Sequence, residues 1–139
     1  MHSKGIIHRD LKPDNILIID RNDLSVCISD LGLSVHSSND FDLSILCGSP
    51  GYIEPEILRG QPASFTSDVF SLGSLLFNML TGSSLYKAMT FEATLCLNRD
   101  GDPHKLMERN IINQTKNCQN LIRMMTSPKA VRPTTHECL

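Results

Sequence analysis

Residues His8-Arg9-Asp10-Leu11-Lys12-Pro13-Asp14-Asn15 crowd carboxylates, an ammonium, a guanidinium, an imidazole and an amide into one short run. A further aspartate, Asp30, follows downstream. Groups of these kinds supply what phosphoryl transfer needs: a carboxylate beside the attacking hydroxyl, and ligands for metal ions that neutralise charge on the phosphate oxygens. Taken alone, Asp10 would read as a solvated turn residue. The arrangement His-Arg-Asp-Leu-x-x-x-Asn fixes five positions, however, and a chance match in a chain this short is on the order of one in ten thousand. The pattern outweighs the isolated residue.

Elements must position that run. Ile16 to Ile19 and Val26 to Ile28 are β-branched stretches separated by the turn formers Asp20-Arg21-Asn22-Asp23, which predicts a hairpin directly after the run. From Gly32 to Gly51 the chain is rich in Ser, Asp, Asn and Gly, the chemistry of a loop longer than an ordinary connection. Glu54 to Leu58 suits a short helix. Thr66-Ser67-Asp68 offers caps for an apolar helix from Val69 to Leu80 that stops at Thr81-Gly82 and is expected in the core. Weaker helical patterns cover Phe91 to Leu97 and Gln119 to Met125, and another begins near Thr135. The predicted organisation is mainly α within an α+β whole: a small β-hairpin, a long loop, then helices.

Composition narrows the class. At 139 residues and 40% hydrophobic content the chain suits one domain with one core. A net charge of -2 without charge clusters gives no footprint for nucleic acid or an anionic membrane. The five cysteines, Cys27, Cys47, Cys96, Cys118 and Cys138, form no CxxC pair and read as reduced thiols, so neither zinc nor a disulfide framework is expected. The start has no signal-peptide layout, and the longest apolar run is broken by Ser71, Gly73, Ser74 and Asn78. A soluble, cytoplasmic protein is expected.

Further motifs follow the first in a fixed order. Asp30-Leu31-Gly32 succeeds the second strand, and Gly48-Ser49-Pro50-Gly51-Tyr52-Ile53-Glu54-Pro55-Glu56 closes the long loop. Asp68-Val69-Phe70-Ser71-Leu72-Gly73 opens the central helix, and Arg132-Pro133-Thr134 comes near the end. In this order the chain resembles the C-terminal lobe of serine/threonine protein kinases, with their HRDLxxxN, DFG, APE, DVWSLG and RPT motifs. Cys47-Gly48-Ser49-Pro50 is similar to calcium/calmodulin-dependent-type kinases.

The resemblance implies roles residue by residue. Asp10 is the carboxylate beside the attacking hydroxyl, while Asn15 and Asp30 hold Mg²⁺. Lys12 approaches the transferring phosphate of ATP as a compact charge and marks the serine/threonine group. Ser49 contacts Asp10 and Lys12 and aligns the substrate. Glu56 and Arg132 form an ion pair tying the activation segment to the late helices. Asp68 anchors the catalytic-loop backbone, and His8 is a packed, hydrogen-bonded histidine. Arg9 resembles the arginine that clamps a phosphorylated activation loop, with Ser37, Ser38 and Ser44 as candidate phosphosites. Leu31 in place of Phe keeps an apolar side chain beneath Asp30. Glu54 in place of Ala adds a charge beside the substrate-binding loop, from which a preference for basic substrates is expected. The stretch Ser127 to Arg132 is one residue longer than the family's common spacing.

The chain contains no Gly-rich loop, no lysine to pair with the ATP phosphates and no helical glutamate to position it. Residues 1–139 therefore read as a partial kinase domain, from the catalytic loop to the start of the last helix. Met1 is expected to be internal to a longer protein that supplies the N-terminal lobe. The exposed lobe is expected to show apolar surface, to be poorly soluble and to lack measurable MgATP binding by itself. Two functions follow: ATP- and Mg²⁺-dependent phosphate transfer to Ser or Thr of protein substrates, or a non-catalytic lobe that binds substrates or partners. Intact Asp10, Asn15 and Asp30 favour transfer. Phosphorylation of Ser44 is expected to activate the complete enzyme, so Ser44→Ala should block that activation; unchanged activity of the variant would contradict it.

Overall fold

The computed structural model describes all residues, 1–139. The expected hairpin is present: β2 (Ile16–Asp20) pairs antiparallel with β3 (Ser25–Ile28), Ile16 opposite Ile28 and Ile18 opposite Val26. A second two-stranded pairing joins β1 (Ile6–Ile7) to β4 (Val35–His36). The long loop is therefore more ordered than its composition implies. Within it β4 returns to β1, just ahead of the His8–Asn15 run, and α1 (Asp40–Leu43) follows, with the Asn39 side chain accepting from the Asp42 amide. Val35 and Leu43 are the reason: both join Ile7 and Ala63 in a small buried cluster.

The remaining helices are α2 (Pro55–Leu58), α3 (Phe65–Thr81), α4 (Phe91–Asp100), α5 (Pro103–Met107) and α6 (Lys116–Met125). The central helix starts earlier than its apolar run. Its cap is Ser64, in a capping box with Ser67, in place of the predicted Thr66-Ser67-Asp68. Asp68 is thereby freed for other partners. The α5 helix, unexpected from the sequence, rests on Asp102, which caps the His104 and Lys105 amides. Near Thr135 a turn forms, with Thr134 and Glu137 exchanging side-chain bonds to each other's amide.

Phe70, Phe77, Tyr86, Met107, Ile111 and Ile122 form the main core on one side of α3, joined by Leu85. Gly73 sets how closely α6 packs: a Cβ there would lie 2.8 Å from the Met125 Cβ. Flanking that core stripe, α3 also buries polar residues, Ser67, Asp68, Ser71 and Ser74. On the hairpin, Leu17, Ile18, Ile19, Val26 and Ile28 are exposed, an apolar surface left without cover. No helix is long and apolar enough to cross a membrane.

Candidate active site

The run from His8 to Asn15 belongs to no sheet or long helix, so its backbone groups need partners from elsewhere. Asp68, in the first turn of α3 and 2% exposed, supplies two. One of its oxygens accepts the His8 N–H and the other the Arg9 N–H, both at 2.9 Å. Arg9 sits at φ 68°, a left-handed conformation unfavourable by ~1–2 kcal/mol outside glycine. Hydrogen bonds to a charged acceptor contribute ~1.5–3 kcal/mol each, so the carboxylate outweighs the strain. His2, absent from the sequence-based assignments, places Nε2 2.8 Å from the same carboxylate. Ring nitrogens of His8 complete the turn: the Asp10 N–H donates to Nδ1 at 3.2 Å, so Nε2 carries the proton and donates to the Ser29 carbonyl at 3.0 Å.

With its backbone fixed, Asp10 turns its carboxylate into a small polar cluster. Oδ2 lies 2.9 Å from Lys12 Nζ and accepts from Asn15 Nδ2 at 3.2 Å. The same Asn15 nitrogen donates to the Asp10 carbonyl at 2.8 Å. Lys12 also donates to Ser49 Oγ at 2.8 Å, which brings the closing segment of the long loop to the catalytic run. Gly48 permits this approach: at φ 114° its absent Cβ would stand 2.9 Å from the Arg9 carbonyl. Asp10 Oδ1 is buried and accepts no hydrogen bond. An orphaned buried acceptor costs ~1–3 kcal/mol.

Asp30 arrives by the hairpin. Ser29 donates its N–H to the Asn15 carbonyl at 2.9 Å, which draws the exit of β3 beside the end of the run. Asp30 itself, at φ 59°, keeps an exposed carboxylate that accepts only the Gly32 N–H, at 3.2 Å. It makes no direct bond to Asp10, Lys12 or Asn15. The Asn15 amide oxygen and the Asp30 carboxylate fit a magnesium ion: both are hard oxygen donors, and this cation takes one or two protein ligands with water and phosphate oxygens completing its shell. No cluster of three or more His, Cys, Asp or Glu side chains offers a full protein cage.

The Arg9 guanidinium meets main chain. Nε donates to the Leu33 carbonyl at 2.7 Å, and Nη1 donates to the Asp42 carbonyl. None of the three candidate phosphosites touches it: Ser38 bonds His36 Nδ1 at 2.7 Å, Ser44 caps α1 through the Phe41 carbonyl at 2.6 Å, and Ser37 binds the Gly5 carbonyl through its amide. Beside the site, burial pushes the Cys47 thiol up, with Arg9 opposing and Asp10 reinforcing. It is no ready thiolate.

Glu56 and Arg132 lie together, Arg132 Nη2 donating to Glu56 at 3.1 Å despite the extra residue between Ser127 and Arg132. Glu54 corrects the sequence reading. It is 1% exposed, accepts from Arg132 Nη1 and from Ser67 Oγ (2.7 Å), and has Lys129 Nζ at 3.6 Å. A carboxylate buried and paired in this way offers no charge to a substrate. Its position at the N-cap of α2, ahead of Pro55, turns it inward beside Glu56, so Arg132 serves two acids. Ser71 and Ser74, read only as interruptions of an apolar run, donate to the carbonyls of Tyr52 (2.7 Å) and Gly51 (2.6 Å).

Motif order, hairpin and helical lobe together define the C-terminal lobe of a phosphoryl-transfer fold. The family model for the protein kinase domain matches residues 1–139, and the chain belongs to that family, on its serine/threonine branch. Over 95 residues it is 38% identical to the human serine/threonine-protein kinase ULK1, covering 63% of this chain and 9% of the relative. It is 49% identical over 86 residues to CBL-interacting protein kinase 1 of Oryza sativa subsp. japonica, covering 58% and 18%. With calcium/calmodulin-dependent protein kinase type 1 of Caenorhabditis elegans it shares 40% over 83 residues, covering 59% and 24%. The matched region thus spans under a quarter of each of these relatives.

The Glu56 carboxyl is held below its usual 4.5: burial pushes it up, but the Lys129 N–H at 2.7 Å and the Arg132 charge outweigh burial. Ionised Glu56 therefore adds stability that is present above its ordinary value and is lost as pH falls through the depressed one. Glu56→Gln should lower stability at neutral pH by about 1–3 kcal/mol. Its melting temperature should also fall less steeply than the wild type's on acidification below pH 4.5. Parallel pH profiles for the two proteins would refute the assignment.

Proposed function

We propose that the chain is the partial catalytic domain, residues 1–139, of an ATP- and Mg²⁺-dependent serine/threonine protein kinase. It works in the cytoplasm together with an N-terminal lobe encoded outside these residues. The observation that carries this reading is the unpaired, buried Oδ1 of Asp10. That oxygen is left to accept a further donor while the other is fixed by Lys12 and Asn15.

In the proposed reaction the hydroxyl of a substrate Ser or Thr donates to Asp10 Oδ1, which orients it and accepts its proton as its oxygen bonds the γ-phosphorus of ATP and the bond from that phosphorus to the departing ADP breaks. Lys12, held between Asp10 and Ser49, places one positive charge at the transferring group. Ser49 ties the substrate-facing loop to that lysine. Asn15 and Asp30 would hold magnesium, which supplies neutralisation of the phosphate charge when bound. Arg9, Asp68, Glu56 and Arg132 act on the frame. Phosphate on Ser44, two residues beyond the carbonyl that Arg9 already grips, would give that guanidinium a stronger partner.

A binding-only lobe has no need of the free Asp10 oxygen or of paired oxygen donors at Asn15 and Asp30. In the complete kinase domain, Asp10→Asn is expected to reduce kcat by about 10²–10⁴ while thermal stabilisation by MgATP persists. Asp30→Asn is expected to remove that stabilisation. Transfer at the wild-type rate by Asp10→Asn would refute the reading.

A further inference from the structure

Helix α4 presents an odd burial pattern. Phe91 at its start is 62% exposed, and the helix's one fully enclosed residue is a polar one, Asn98, at 0%. A primary amide taken wholly out of water is tolerated only where both of its ends find partners. Asn98 finds them on one distant segment: Oδ1 accepts the Gly51 N–H at 2.9 Å, and Nδ2 donates to the Ile53 carbonyl at 2.8 Å. This amide orientation is the one that satisfies both bonds.

The segment it grips has no ladder of its own. Between Ser49 and Ile53 the only internal backbone bond is the turn from the Tyr52 N–H to the Ser49 carbonyl, 3.0 Å. The Gly51 and Tyr52 carbonyls are taken by Ser74 and Ser71 of α3. Asn98 supplies two more contacts, acting as a piece of backbone: acceptor at one residue and donor two residues on, as a neighbouring strand would be. Gly51 stands at φ 89°, so the turn has little intrinsic preference to hold it. Two residues before Gly51 lies Ser49, whose hydroxyl receives the Lys12 ammonium.

We propose that Asn98 is a positioning residue for the acceptor-substrate loop: it fixes residues 51–53 from α4, and so holds Ser49 where Lys12 reaches it. Its effect falls chiefly on the protein substrate, because Asn15 and the exit of β3 are held by other partners and Lys12 keeps its ion pair with Asp10. The inference about kinetics rests on the phosphotransfer reading above; the inference about the loop does not.

Two variants separate these. Asn98→Leu keeps similar volume and removes both bonds. Asn98→Asp keeps the acceptor for Gly51 and loses the donor to Ile53. In the 139-residue chain, backbone hydrogen exchange of residues 51–53 should quicken about tenfold or more in Asn98→Leu, while the β2–β3 hairpin is unchanged. In Asn98→Asp the Gly51 amide should stay closer to wild type than in Asn98→Leu. In the complete kinase domain, Asn98→Leu should raise the KM for an acceptor peptide about tenfold and leave the KM for MgATP within about twofold. Should Asn98→Leu fail to fold, Asn98→Asp still decides, its peptide KM rising with MgATP unaffected. Unchanged exchange at 51–53, loss of protection spread over the whole chain, or equal rises in both KM values would overturn the proposal. A wild-type domain without transfer would sink the kinase reading, and the exchange comparison would still decide the role of Asn98.

Discussion

One buried carboxylate sets the frame of this lobe. Asp68 has its two oxygens on the amides of His8 and Arg9 and receives His2 as well. Without it the left-handed turn at Arg9 would relax, because the strain there has no other local compensation from backbone bonding. Everything downstream inherits that turn: the direction of the Asp10 carboxylate, the reach of Lys12, and the closeness of Asn15 to both. The candidate site is built outward from a carboxylate in the first turn of a buried helix.

The same helix serves the rest of the site with the same device. Helix α3 puts aromatic and aliphatic residues toward α6 and the main core, and puts Ser67, Asp68, Ser71 and Ser74 toward the irregular segments. Ser67 meets Glu54, Ser71 meets Tyr52, Ser74 meets Gly51, and Asp68 meets the catalytic run. Irregular backbone cannot satisfy itself, so a polar helix face does it, at the cost of hydrophobic burial on that side. Around Glu54 and Glu56, Arg132 and Lys129 balance two acids with two cations and fasten α2 to the segment after α6.

Local signals carried the hairpin, the catalytic run and the central helix, because β-branched runs, turn formers and apolar runs act over a few residues. The pairings of Arg132 with Glu56 and of Lys12 with Ser49 join residues far apart, and they became visible only through the motif order. Glu54 was misread because one sequence cannot say which way a charged side chain turns; burial did not follow from its type. The order inside the long loop was hidden too, since two residues of β4 and four of α1 have too little periodicity to stand out. Serines inside an apolar run looked like interruptions, whereas they are the attachment points of Gly51 and Tyr52. Asn98 had no signal at all, its partners being fixed by tertiary packing.

The most direct test of the account is the Asp68→Asn protein, which keeps the shape of the side chain and removes its charge. Backbone hydrogen exchange at His8 and Arg9 should rise about tenfold or more over wild type, and the complete kinase domain carrying the change should lose phosphoryl transfer in step. Wild-type exchange at both amides together with wild-type turnover would contradict the claim that this carboxylate sets the site.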